Sequence, residues 1–146
     1  MTQQAMTYEK PIPLKTLDNA PYWDAADRHE LALQKCTDCN QFFNPAGPSC
    51  PKCGSQDVHW HTIGQDINGT VESYIMSYRP FLPGFQNDCP LVIAVVRLDK
   101  VSEVTILANI LDVKPEDVYI GLPVQMTWID ITEDRALPQW VAKVGD

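Results

Sequence analysis

Apolar and polar positions alternate with a period of two over most of this chain, with a short helix ahead of the pattern and one helical turn within it. Residues 1–15 have no period, carry Pro11 and Pro13, and read as a loosely held arm. From Asp18 the text becomes Asn-Ala-Pro-Tyr-Trp, where Asp18 or Asn19 can cap a helix and Pro21 fits its first turn. A short helix is expected over 19–29, with Trp23 and Ala26 on its inner face. Leu31 and Leu33 then alternate with Ala32 and Gln34 as a strand. Phe42-Phe43 begins a second strand, and Val58 and Trp60 alternate with His59 and His61 in a third.

From Asn68 onward the pattern is all-β. Asn68-Gly69 is a turn signal. After it, Val71, Ser73, Ile75 and Ser77 oppose Glu72, Tyr74, Met76 and Tyr78. Leu91 to Leu98 is nearly continuously apolar and reads as a central strand, and Val104 to Ile110 as another. Lys114 to Val118 is a short helical turn that starts on a proline, and Gly121-Leu-Pro turns into a last strand, Val124 to Ile131. The expected fold is mostly β: an N-terminal helix, a small ribbon, then a Greek-key barrel of the OB type. An immunoglobulin-like sandwich asks for more strands. The expected divisions are 1–29 for arm and helix, 30–65 for the ribbon, 66–135 for the barrel and 136–146 for a polar tail holding Trp140.

The cysteines decide what the ribbon is. Cys36-Thr-Asp-Cys39 and Cys50-Pro-Lys-Cys53 are two Cys-x2-Cys pairs ten residues apart. Each pair puts two sulfurs on one tight knuckle, and two knuckles complete a tetrahedron around zinc. Asn40 and Gly54 follow the second cysteine of each pair, and both residue types readily take the left-handed turn under a metal. Iron is the rival, because Cys-Pro-Lys-Cys-Gly resembles a rubredoxin knuckle. With either metal the ligands Cys36, Cys39, Cys50 and Cys53 close the site, so its role is structural. So small a ribbon has little core, and the metal supplies folding energy.

Charge narrows the partners. Nineteen acidic against eleven basic side chains leave a net −8. Up to Gln65 there are seven acids and five bases, and after it twelve and six. Between Cys36 and Gln65 the one base is Lys52. Nucleic-acid surfaces need clustered Lys and Arg, so binding of DNA or RNA is not expected, and a nucleic-acid-binding OB/zinc-ribbon module stands only as the lesser alternative. Nothing at the amino end reads as a signal peptide, and no apolar run approaches the ~20 residues of a membrane span. The expected location is the cytoplasm, where thiolates persist.

In order and spacing these segments resemble one family. They are the helix with Tyr22-Trp23, Leu31-Ala-Leu-Gln-Lys-Cys36-Thr-Asp-Cys39, Phe43-Asn-Pro, Cys50-Pro-Lys-Cys53-Gly and Trp60. Gly69-Thr-Val-x-Ser-Tyr, Val95-Val-Arg-Leu-Asp99 and Ile120-Gly-Leu-Pro-Val124 complete the series. Together they are similar to the acyl-CoA-associated zinc-ribbon/OB-fold family, long catalogued as a domain of unknown function. The likeness runs from about Asn19 to Ile131 and departs from the commonest knuckle text at Asn40, where glycine is frequent. It implies a rubredoxin-like ribbon plus OB barrel with one structural zinc. It also implies a non-catalytic accessory subunit of an acyl-CoA enzyme, foremost a thiolase-fold thiolase, acyltransferase or aldolase. A hot-dog enoyl-CoA hydratase is the alternative partner. The complex would be a hetero-oligomer with two copies of each subunit, and a coenzyme A thioester would be bound jointly with the partner.

Candidate sites outside the cysteines are few. Residues 79–90 carry three prolines and two phenylalanines, and Phe81, Leu82 and Phe85 are candidates to line the acyl channel or dock on the partner. The plainer reading is a packed loop covering one end of the barrel. Arg79 and Arg97 are candidate phosphate contacts for coenzyme A, although Arg97 also reads as an ordinary outward strand residue. Cys89 has no base beside it and reads as an inert thiol. His59 and His61 read as solvent-facing or interface residues, and His29 as the end of the helix. Trp23, Trp60 and Trp128 read as core or junction aromatics, while Trp140 either folds back on the barrel or anchors a partner. No catalytic residue is assigned. The chain shows no Ser-His-acid spacing, no open metal position and no phosphate-cradling glycine loop.

Overall fold

The computed structural model describes residues 8–143. The first seven residues of the expected arm and the last three of the expected tail lie outside this range.

Helix α1 (Ala20–Asp27) opens the fold. Asn19 occupies its N-cap position, but its side chain works on the segment before the helix. Asn19 Oδ1 accepts from Thr16 N at 2.6 Å, and Asn19 Nδ2 donates to the Leu14 carbonyl. The helix buries Ala25 and Ala26, while Trp23 is half-buried and packs edge-on against Tyr22, with ring centres 5.0 Å apart. Small residues let the helix approach closely, and Tyr22 rather than Trp23 reaches the main core.

Strands β1 (Leu31–Cys36), β2 (Phe42–Phe43) and β3 (Val58–Gly64) form an antiparallel sheet in the order β2-β1-β3. The ribbon's own core is only Cys36, Phe43 and Cys50, with Cys39 and Val58 against it. Leu31 and Leu33 belong instead to the core of the barrel. The first half of β1 is therefore shared between the two modules, which ties the ribbon down.

Strands β4 (Asn68–Ser77), β5 (Leu91–Leu98), β6 (Thr105–Leu111), β7 (Pro123–Thr132) and β8 (Arg135–Ala142) close a barrel in the order β4-β5-β6-β8-β7. A 3-10 turn, Pro115–Asp117, sits between β6 and β7, where a helical turn is expected. All ladders are antiparallel except β6 with β8, which pair in parallel at Ile110↔Trp140 and Leu111↔Val141. This is the five-stranded Greek-key barrel of the OB type.

Three sequence expectations need correction. Residues 136–146 do not hang as a tail: Glu133-Asp134 turns the chain back and β8 completes the barrel. Its inward positions are Ala136, Pro138 and Trp140, and Trp140 is fully buried, so the indole folds back on the barrel. Asn68-Gly69 is not a turn but the start of β4. A Cβ at Gly69 would lie 2.4 Å from Val96 Cγ1 and 2.9 Å from the Arg97 carbonyl, so the glycine serves close approach of two strands. Finally, β4 shifts register between Val71 and Ser73, a β-bulge. The extra residue exchanges the faces beyond it: Tyr74 and Met76 pack on the core, and Ile75 points out, 63% exposed.

Candidate functional site

The four ribbon cysteines converge. Their sulfur atoms all lie within 4.8 Å of one another, and the Cys36–Cys53 and Cys39–Cys50 pairs are each 3.6 Å apart. Two knuckles with the same backbone wiring bring this about. Asn40 N donates to the Cys36 carbonyl and Cys36 N to the Gln41 carbonyl, at 2.8 and 2.9 Å. Gly54 N donates to the Cys50 carbonyl and Cys50 N to the Ser55 carbonyl, at 2.9 and 2.7 Å. Both turns need a left-handed residue, and Asn40 (φ 59°) and Gly54 (φ 79°) supply it. Ser55 Oγ donates to Asp38, joining the knuckles, and Thr37 N donates to the Asp57 carbonyl of the segment entering β3.

The donor set fits zinc. With Zn–S near 2.3 Å, tetrahedral sulfurs stand roughly 3.8 Å apart, close to the spacing here. The thiols also conflict with one another. Burial opposes ionisation of Cys50, but the N–H groups of Cys53 and Lys52 and the Cys39 and Cys53 thiols together bring it down to about 7. Cys53 receives an N–H bond from Ser55, yet the neighbouring sulfurs push it up to about 12. A divalent cation removes that conflict by holding all four as thiolates. The four sulfurs complete the tetrahedron, so the geometry leaves no open position for water or substrate.

A second feature of the ribbon escaped sequence reasoning. Gln34 is the one buried polar side chain among the described residues, and its amide clasps Gly47, donating to the carbonyl at 2.9 Å and accepting from the N–H at 2.8 Å. This fixes the loop between the knuckles over β1. Polar residues in strands usually face water, so the only available signal was Gln34 on the leucine-bearing strand.

The proline-rich loop divides its candidates. Phe81 is 82% exposed and Leu82 52%, and Ile75 in β4 and Tyr78 just after it are exposed as well. Phe85 is half-buried, with Lys10 Nζ over its ring at 5.1 Å, and Lys10 also pairs with Asp88. The arm thus lies across one part of the loop and leaves the other open. Arg79 is exposed. Arg97 is an outward strand residue already engaged: its guanidinium donates to Glu72 and to the Ser102 carbonyl. Cys89 is half-buried and its nearest partner is the Phe85 carbonyl at 3.7 Å. His59 and His61 are exposed, the first bonded to Asp57 and the second edge-on to Phe42.

His29 does more than end the helix. It takes φ 61°, stacks on Trp128 with ring centres 6.1 Å apart, and meets Asp130 through Nε2 at 2.7 Å. Beside it, Asp27 binds Ala136 N at 3.1 Å, Lys15 Nζ at 2.8 Å and Arg135 Nε at 3.4 Å. Burial alone would raise the Asp27 carboxyl, but the bonds from Lys15 and Ala136 N, with the Lys15 and Arg135 charges, hold it below its ordinary value. These contacts clamp the helix on the β7–β8 hairpin.

Known proteins share this architecture. Residues 23–59 match the family described as "ChsH2, rubredoxin-like zinc ribbon domain", and 60–128 match "ChsH2, C-terminal OB-fold domain". A probable enoyl-CoA hydratase alpha subunit of Thermomonospora curvata is 34% identical over 94% of this chain, which spans only 41% of that relative's length. A DUF35 domain-containing scaffold protein of Methanocaldococcus jannaschii is 32% identical over 74% of each chain. Among solved structures, a chain of the Ltp2-ChsH2(DUF35) aldolase superposes with a TM-score of 0.77 at 33% identity, covering 91% of this chain and 100% of that one. The paired knuckles, the five-stranded barrel and this sustained similarity place the chain in the DUF35 family of ChsH2-type zinc-ribbon/OB-fold proteins.

Proposed function

We propose that this chain is a zinc-containing, non-catalytic accessory subunit of a thiolase-fold acyl-CoA enzyme. The observation that carries the reading is the similarity, over the whole of the matched chain, to a component of an aldolase assembled with a DUF35 protein. The chemistry of the chain supports it. Its cysteine cluster is closed, and Cys89, the cysteine outside it, bonds only the Phe85 carbonyl and has no base beside it. Cys36, Cys39, Cys50 and Cys53 hold zinc and keep the ribbon folded. Phe81 and Leu82 are exposed apolar side chains on the loop, suited to burial against a partner. Phe85 supports the loop from beneath, and Arg79 is the cation available to a coenzyme A phosphate. Arg97 serves that role only if Glu72 releases it.

A hydratase partner is the second reading, favoured by the similarity to a hydratase alpha subunit. One experiment separates the readings: capture of the tagged chain from its native lysate, with retained proteins identified by mass. A near-stoichiometric thiolase-fold protein is expected. A hot-dog protein would establish the second reading, and recovery of the chain alone, or with nucleic acid, would overturn both.

A further inference from the structure

The barrel is closed by a short seam. β8 pairs with β6 only at Ile110 and Leu111, and no ladder joins the two strands between Thr105 and Asn109. Two bonds fix the alternation of β6. Leu98 N donates to the Val104 carbonyl at 3.1 Å, towards β5, and Asn109 N donates to the Gln139 side chain at 2.8 Å, towards β8. By the two-residue period, the N–H and C=O groups of Thr105 and Leu107 also point away from β5. No strand meets them there, and Pro138, on the opposite bank, has no N–H to offer.

What they face is a groove of about 630 Å3. Tyr22 and Trp23 of the helix form one wall, Pro45 and Ala46 of the ribbon loop another, and Leu137 and Pro138 a third. Leu107 itself is 67% exposed. No aspartate, glutamate, lysine or arginine lines the groove among the described residues, although the chain carries a net −8. An open strand edge in an uncharged, largely apolar trough matches an extended backbone with uncharged side chains, and disfavours a phosphate-bearing strand.

We propose that the β6 edge from Thr105 to Ala108 accepts an extended, uncharged segment of a partner polypeptide as an added strand in this groove. At ~3.4 Å per residue such a strand needs only about four residues alongside β6. The proposal concerns this chain's own edge and holds whichever acyl-CoA enzyme is the partner.

The test selects displayed random seven-residue peptides on the zinc-loaded full chain and measures binding of the enriched peptide by NMR and amide exchange. Enrichment of uncharged, β-branched sequences is expected, with at least tenfold slower exchange of the Leu107 amide on binding. Leu107→Pro removes that donor and spares the β5 ladder, so it is expected to fold and to bind at least tenfold more weakly. Leu107→Asp keeps the donor but places a charge in the groove, and is expected to lose binding likewise; it serves if the proline variant fails to fold. Charged consensus peptides, an unchanged Leu107 amide, or full binding by both variants would overturn the proposal. So would oligothymidylate binding that perturbs the same amides in place of peptide.

Discussion

Gly69 illustrates how one residue can mislead at the sequence level and yet be dictated by packing. Beside Asn68 it looks like a hairpin turn, but its backbone is extended and Val96, Arg97 and Trp140 crowd the space where a Cβ would stand. Gly69→Ala is expected to destabilise the barrel by roughly 1–3 kcal/mol through overpacking, read as a lower denaturation midpoint with zinc content unchanged. Asp27 is the second decisive residue. Its carboxylate is stabilised by folding, so its contribution is complete above the ordinary carboxylate range and is lost as pH falls through the lowered folded value. Asp27→Asn should cost about 1–3 kcal/mol at neutral pH, mostly from the weakened charge-assisted bond to Lys15 and the lost attraction to the Arg135 charge. The gap between the two proteins should close in strong acid, where wild-type Asp27 is itself protonated; a gap independent of pH would contradict this account. Asp27 was invisible in the sequence because its partners lie far away along the chain, at Lys15, Arg135 and Ala136.

At the level of elements, the two-residue alternation located the strands well, since half-buried strands advertise themselves through their apolar face. The knuckles were equally plain, because metal ligands demand fixed residue types at fixed spacing. The alternation failed where backbone geometry interrupts it. A bulge adds a residue that no local signal marks, so Ile75 and Tyr74 exchanged faces. β8 was hidden by Pro138 and Gln139, which look like tail residues; in the fold the proline lines the open seam and Gln139 bonds Asn109 across it. A hairpin of Glu133-Asp134 also lacks the glycine that usually betrays such turns. The element most dependent on a non-covalent staple is the ribbon, whose own core is three residues. Chelation of zinc, or Cys39→Ser, is expected to abolish amide protection in β2, β3 and the second half of β1. Protection in β4–β8 should persist, because that core is built from aliphatic side chains and Trp140. Metal analysis of the native chain should return one zinc per chain.

In the whole molecule, the modules are joined rather than strung together. Leu31 and Leu33 enter the barrel core from β1, Phe42 N meets Glu103 of the β5–β6 turn, and the helix is clamped to β7–β8 by Asp27 and His29. That rigidity gives meaning to what is left exposed. Ile75, Tyr78, Phe81 and Leu82 are exposed apolar side chains on a chain of net −8. In the sequence Phe81 and Phe85 look alike, because nothing local shows that Lys10 covers one of them. The structure makes them separable. Phe81→Ala removes a side chain with few contacts inside the chain, so stability should change by no more than about 0.5 kcal/mol. If the loop docks on an acyl-CoA enzyme, the same change should weaken association with that enzyme at least tenfold, measured by titration calorimetry. Phe85→Ala should do the reverse in emphasis: it frees Lys10, loosens the arm and lowers the unfolding midpoint, with a smaller effect on association. Equal effects of the two substitutions on binding and stability would mean that the loop is packing alone, and the docking surface would then have to be sought elsewhere on the barrel.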